Sequence, residues 1–302
     1  MKGNFHVRFG ERGGETRWLQ NQKVRSAPTL QYVVIYLSVF KEKRMSFPNY
    51  PEKHKLDSLL SGREMIEFRR RLGRMPKIEP PEALLICLHR GLPERLRWRI
   101  PIRHVGRMMG DLYLVRKAKG RVVVLTNFGI GAPLVTALSE EFIAWGVKRI
   151  VSISWGGGIA TQLLPGEIVI CDRALRDEGT SYHYLPAGKY AQASHALVNL
   201  LIESIRARNS TCQVGPTWTT DAPYRETRDE VKQYQSEGVK TVEMEIAALY
   251  ALCQVRGVDV ASVVVVGDSL AELRWQAPAD VQPIERSLEV VYAAAIEVLG
   301  QV

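Results

Sequence analysis

Val242-Glu243-Met244-Glu245-Ile246-Ala247-Ala248-Leu249-Tyr250-Ala251-Leu252-Cys253 is the stretch on which the reading of this chain turns. It is rich in good helix formers. Ile246, Leu249, Tyr250 and Cys253 recur at helical spacing, so one face is made for a core. The pattern predicts a helix over 242–256 with Glu243 and Glu245 in its first turn. Carboxylates are favoured there because unpaired N–H groups and the macrodipole make a helix start positive. Dipole placement alone would account for an isolated Glu-x-Glu.

The neighbouring segments set the fold class. Val260 to Val266 is apolar and β-branched without alternation, as in a strand buried on both faces. Similar runs at Ala83 to Leu88, Val122 to Leu125, Arg149 to Ser154 and Glu167 to Cys171 predict further strands. Helices are predicted over Arg63 to Leu72, Pro133 to Trp145 (stopped by Gly146), His195 to Asn209, Asp229 to Glu237 and Ile284 to Leu299. Strands alternating with helices imply a single α/β domain around a mostly parallel, mixed central sheet flanked by helices.

Composition narrows the class. The chain has 302 residues, 46% of them hydrophobic and 24% charged, as expected of a soluble globular protein. The four cysteines are far apart in sequence, so neither a disulfide framework nor a structural zinc site is expected, and a reducing cytoplasm is. Residues 1–110 carry 23 of the 41 basic residues but only 10 of the 32 acidic ones. Such a basic third could meet nucleic acid, but no aromatic-interleaved basic motif accompanies it. Thr29 to Phe40 is apolar yet well short of the ~20 residues that span a bilayer, so no membrane association is expected and a strand is. Residues 1–44 read as a poorly ordered or non-native extension, and residues 45–302 as the domain.

Four apolar runs end in glycine or a carboxylate: Gly91, Gly129-x-Gly131, Gly156-Gly157-Gly158 and Gly267-Asp268. In a parallel sheet these ends gather at one edge, where ligands bind. Gly129-x-Gly131 lacks the third glycine and the spaced acidic residue of a dinucleotide fingerprint, and no P-loop occurs. Asp268 could serve chemistry there, or could cap a helix beginning at Ser269.

From about Ala83 onward the chain resembles the nucleoside phosphorylase family, which includes uridine phosphorylase, hexameric purine nucleoside phosphorylase and the adenosylhomocysteine nucleosidases. Gly91-Leu92-Pro93-Glu94-Arg95 resembles its Gly-Asp-Pro-x-Arg phosphate segment, with Leu92 in place of the acidic residue. Thr126 to Pro133 resembles its Gly-x-Gly-x-Pro turn, Arg176 to Pro186 the loop after its next strand, and Thr219 to Tyr224 its base-lining segment. Glu243-Met244-Glu245 matches the ribose site and Val266-Gly267-Asp268 the catalytic aspartate of purine-specific members.

The resemblance implies an enzyme that cleaves a nucleoside's N-glycosidic bond with phosphate, using no metal or redox cofactor. Glu245 would hold the sugar hydroxyls and stabilise the developing cation, with Glu243, Met244 and a neighbouring subunit's His54 also on the ribose. Asp268 would share a proton with the base. Gly91, Arg95, Arg107, Gly129, Ser152 and Trp155 would hold phosphate. Ser152 and Trp155 stand where phosphorolytic members carry an arginine and a Ser/Thr. Gly156, Gly157, Tyr224 and Arg225 would meet the base, although the Gln-x-Arg pair that reads uracil is absent after Tyr224. A dimer-based homo-oligomer, up to a hexamer, is implied. The alternatives are a nucleosidase using water and a nucleoside-binding protein without turnover; nucleic-acid binding through the basic third is a further one.

Overall fold

The computed structural model describes Pro48, residues 50–116, Ala118 and residues 121–301. The expectations for 1–44 and for Thr29 to Phe40 lie outside the described residues. Four strands form the middle of the sheet: β1 (Ala83–Cys87), β4 (Val122–Thr126), β5 (Arg149–Gly158) and β10 (Asp259–Ser269). They run parallel in the order β4-β1-β5-β10, with Ala83 level with both Val122 and Arg149, and Arg149 level with Asp259. Every residue of β1 and β4 is buried, which is why these runs carry no polar alternation.

Antiparallel pairs extend the sheet at its flanks, so it is mixed. A hairpin of β2 (Ile102–Arg107) and β3 (Asp111–Val115) pairs through β3 with β4. On the other side β10 pairs with β6 (Ile168–Asp177), and β6 with β7 (Tyr190–Gln192) and β8 (Gln213–Thr220). Beyond β8 lies β9 (Thr241–Glu243), which returns to β5 where Gly157 faces Val242. The strands β5, β10, β6, β8 and β9 thus close on one another. Only a glycine-rich β5 end permits this closure, since a Cβ on Gly156 would come within 2.6 Å of the Val242 carbonyl oxygen.

Helices cover both faces. One core takes Ile66 of α1 (Gly62–Arg71), Leu138 and Phe142 of α3 (Ala132–Trp145), and Tyr250 of α6 (Ile246–Arg256). The other takes Leu96 of the short α2 (Leu92–Leu96), Leu201 and Ile205 of α4 (His195–Arg206), and Leu288 and Tyr292 of α7 (Gln282–Gly300). Each large apolar side chain so buried contributes about 1.5–3 kcal/mol. The remaining helix, α5 (Arg228–Ser236), opens on a capping box between Thr227 and Glu230.

Two local expectations change. The helix predicted over 242–256 starts at Ile246, because Thr241–Glu243 is drawn into the sheet by β8 and β5. It ends as expected of a glycine C-cap, with Gly257 at φ 64° donating to the Cys253 carbonyl. Nor does Asp268 cap a helix: β10 runs on through Ser269, which bridges to Gln276.

Candidate active site

The segment before α6 places two buried carboxylates side by side. Glu243 Oε2 accepts the Glu245 and Ile246 backbone N–H groups, both at 2.7 Å, and so caps the helix from the preceding strand. Its Oε1 accepts the Thr219 hydroxyl from β8 at 2.5 Å. The same hydroxyl oxygen accepts the Ala247 N–H at 2.9 Å. Glu245 occupies the N-cap position, and its Oε1 accepts the Gly131 N–H at 2.6 Å. Met244 N–H donates to Glu245 Oε2 at 3.2 Å.

Both groups are removed from water, at 6% exposure for Glu243 and 5% for Glu245. Burial raises both above the ordinary carboxylate range, and for Glu243 the neighbouring Glu245 charge adds to it. The hydrogen bonds from backbone N–H groups work in the opposite direction. A carboxylate oxygen accepts more than one hydrogen bond, so Glu245 keeps capacity for a further donor.

These carboxylates line a cavity of about 840 Å³. Met244, Ile130, Leu88 and Ser154 continue its wall, and Trp155, Gly156, Gly157, Pro223 and Tyr224 line it further. Asp268, Leu270, Leu273 and Trp275 complete it, together with Glu226, Arg228 and Arg274. It is a mostly apolar cleft with a few convergent polar groups, the usual form of a small-molecule site. Asp268 is the next-to-last residue of β10, after a bulge between Val266 and Asp268. Its Oδ2 accepts the Trp275 indole N–H at 3.0 Å. Gly157 is level with Asp268, and a Cβ there would lie 3.0 Å from Asp268 Oδ1. Gly267 is equally constrained, because its Cβ would meet Trp155 Cε3 at 2.7 Å. Glycine at these positions lets the aspartate and the indole stand at the cavity wall.

Of the residues singled out in sequence, the cavity brings together Glu243, Met244, Glu245, Asp268, Trp155, Gly156, Gly157 and Tyr224. The others stand elsewhere. Ser152 is 2% exposed and its hydroxyl donates to Ser262 at 2.7 Å, so its position as a phosphate ligand is corrected: it is a core contact between β5 and β10. Arg95 is ion-paired with Glu285 and also reaches Glu289 at 3.9 Å. Arg107 is exposed and lies 3.4 Å from Asp111. Gly91, Gly129 and Arg225 are exposed and off the cavity wall. His54 lies in the short turn Lys53–Lys55, also off the wall.

Sequence reasoning passed over Glu226 and Arg228, which do line the cavity. Glu226 belongs to Arg225-Glu226-Thr227, which stands after Tyr224 in place of the absent Gln-x-Arg pair. Burial raises its carboxyl group to about 7, with Asp268 and then Glu230 adding to the shift. The Arg176 to Pro186 loop is tied to itself, with the Arg176 guanidinium donating to Ser181, Pro186 and Leu185.

A family model described as the phosphorylase superfamily matches residues 86–299. Uridine phosphorylase of Salmonella typhimurium is 26% identical over 152 residues, 46% of this chain and 60% of that protein. This chain therefore spans about three fifths of that relative's length. Uridine phosphorylase of Haemophilus influenzae is 27% identical over 197 residues, 60% of this chain and 78% of the relative. A DeoD-type purine nucleoside phosphorylase of Bacillus cereus is 30% identical over 154 residues, 50% of this chain and 66% of the relative. Among solved structures, uridine phosphorylase from Vibrio fischeri ES114 superposes with a TM-score of 0.64 at 20% identity, covering 74% of this chain and 92% of that one.

Proposed function

Because the chain belongs to the phosphorylase superfamily, we propose that its cavity cleaves the N-glycosidic bond of a purine or pyrimidine nucleoside, with phosphate attacking C1′ to give free base and ribose 1-phosphate. The observation that carries this reading is the buried pair Glu243 and Glu245, held at the start of α6 and lining a cavity that Asp268 also lines. Bond cleavage builds positive charge on the sugar ring and negative charge on the departing base. A fixed carboxylate in a water-poor site stabilises the first, because it needs no reorganisation as charge develops. Glu245 accepts hydrogen bonds from the sugar 2′- and 3′-hydroxyls, and Met244 packs on the apolar sugar face. The base lies between Trp155, Tyr224 and the glycine-rich backbone of β5, with Asp268 at its ring nitrogens. Inorganic phosphate is the co-substrate, and the chemistry calls on no metal or redox group. The similar uridine and purine nucleoside phosphorylases support the same class.

A second reading uses water as the acceptor. The burial of Ser152 on Ser262 and the pairing of Arg95 with Glu285 favour it, since both leave fewer groups to hold an anion. The two separate in one experiment. Inosine, adenosine, guanosine and uridine are incubated with the full chain, with and without phosphate, and free base is measured by chromatography. Release that needs phosphate supports phosphorolysis, and equal release in phosphate-free buffer supports hydrolysis. Binding without release in either buffer overturns both. The reading also carries a dimer-based homo-oligomer, up to a hexamer, in which one protomer's His54 serves another's sugar 5′ position.

A further inference from the structure

Asn127 to Gly131 carries the chain from the end of β4 to the start of α3. Asn127 opens this turn at φ 55°, in the left-handed region that asparagine tolerates better than most side chains. Its amide Nδ2 donates to Glu94 Oε1 of α2 at 2.9 Å and to Asp111 Oδ2 of β3 at 3.0 Å. An amide nitrogen has two N–H groups, so both are used. Each acceptor is itself held. The Tyr113 hydroxyl donates to the same Glu94 oxygen at 2.7 Å. Asp111 is level with Thr126 across β3 and β4, and its other oxygen lies 3.4 Å from Arg107 and 3.5 Å from His104. In the middle of the turn Phe128 is buried in the core, while Ile130 lines the cavity. At its far end Gly131, at φ 104°, donates its N–H to Glu245 at 2.6 Å. Asn127 is off the cavity wall, yet the turn it anchors supplies the bond that aims Glu245.

We propose that Asn127 is a positioning residue: its amide pins the turn to α2 and β3, and the pinned Gly131 N–H sets the direction of Glu245. This rests on the reading of Glu245 as the carboxylate that meets the sugar. A charged group stabilises a developing cation only where it points, and a misplacement of about 1 Å costs on the order of 10²-fold in rate. The bonds to Glu94 and Asp111 have ionised acceptors, the stronger class of hydrogen bond. Two substitutions remove them without forbidding the backbone. Asn127→Gly keeps access to positive φ and loses only the amide. Asn127→Asp keeps the size and the tolerance of positive φ, but as a carboxylate it has no N–H to donate and faces Glu94 and Asp111 with like charge.

A double-mutant cycle on the full-length chain separates aiming from mere support of the fold. Wild type, Asn127→Gly, Asn127→Asp, Glu245→Ala and the two double variants are assayed on inosine and uridine in phosphate buffer. On the nucleoside that the wild type cleaves, each Asn127 variant is expected to lose about 10–10²-fold in kcat, with KM changed less than about threefold. In the Glu245→Ala background either substitution should add less than about a twofold loss, because no carboxylate remains to be aimed. A support role reduces the share of folded enzyme, so the same factor would appear in both backgrounds and overturn the proposal. Unchanged kcat in both single variants would overturn it too. Urea transitions show which variant folds, and either one with a single cooperative transition carries the test. Loss of folding in both makes Asn127 a stability residue and ends the proposal. Normal cleavage with multiplying losses defeats this proposal alone, whereas a wild type that cleaves neither nucleoside defeats the reading of the cavity with it.

Discussion

The Glu245 carboxylate accepts the Gly131 backbone N–H at 2.6 Å, joining two buried groups 114 residues apart in sequence. One belongs to the start of α6 and the other to the turn that opens α3. The bond gives Glu245 a fixed orientation, and a carboxylate so held faces the cavity without searching rotamers. Replacing it with glutamine keeps the shape and the acceptor but removes the charge. Glu245→Gln is expected to lower kcat on a ribonucleoside by about 10²–10³-fold, with KM changed far less. Steady-state kinetics check this, and near-normal turnover would remove Glu245 from the mechanism.

Glu243 has a different task. It accepts four hydrogen bonds, two from threonine hydroxyls of β8 and two from the first N–H groups of the helix. Glu243→Ala leaves those donors buried without a partner, and the expected loss is about 1–3 kcal/mol of stability. Urea denaturation measures it directly. An unchanged midpoint would mean that the helix start is capped by something else.

Closure of the sheet depends on Gly156. A Cβ there meets backbone, the Val242 carbonyl oxygen, which cannot rotate away as a side chain would. Gly156→Ala is expected to destabilise the fold by about 1–3 kcal/mol and to shift Glu243, whose Cβ is 3.5 Å from the same point. Thermal melting and turnover should fall together.

The raised Glu226 carboxyl group ties stability to pH. Its folded value of about 7 lies above the ordinary carboxylate value of 4.5, so the folded state resists the charge more than the unfolded chain does. Below the ordinary value both states are protonated and nothing is lost. As pH rises towards 7 the folded state is progressively penalised, and above it the penalty is complete. Glu226→Gln removes the penalty and, with the shift discounted for the group's partial exposure to screening solvent, should raise the melting midpoint by about 2–4 °C at pH 8, for a gain of about 1 kcal/mol. At pH 4.5 the two midpoints should nearly coincide. Equal shifts at both pH values would place the effect in packing rather than in charge.

Arg95 discriminates between acceptors. Its guanidinium is 43% exposed and paired with Glu285, so Arg95→Ala should cost under about 1 kcal/mol of stability. If phosphate draws Arg95 away from that pair during turnover, KM for phosphate should rise about tenfold in the variant, equivalent to 1.4 kcal/mol of binding. An unchanged KM would shift the anion site to other residues.

Much of this architecture could be read from sequence. Buried parallel strands such as Val122–Thr126 and Asp259–Ser269 betray themselves by unbroken β-branched runs, and α6 by its spaced apolar face. The carboxylates of the site were legible because Glu243-Met244-Glu245 and Gly267-Asp268 are distinctive in order. The short strand Thr241–Glu243 was not, since three residues carry no periodicity and their pairing is decided by β8 and the glycines of β5. The hairpin of β2 and β3 was hidden for a related reason: its exposed arginines and histidine obscure alternation. Glu226 and Arg228 went unread because nothing local says that a loop and a helix start will turn towards β10. Ser152 and Ser262 illustrate the converse, a polar pair that serves the interior of a sheet.

The account stands on Glu245 as the grip on a sugar diol. Calorimetric titration of the wild-type chain with a purine ribonucleoside and with its 2′,3′-dideoxy counterpart, in phosphate-free buffer, tests that grip without requiring turnover. The ribonucleoside is expected to bind about thirtyfold more tightly, the size of one or two hydrogen bonds to a charged acceptor. Equal affinities would show that the carboxylate end of the cavity does not meet the sugar, and would contradict the assignment.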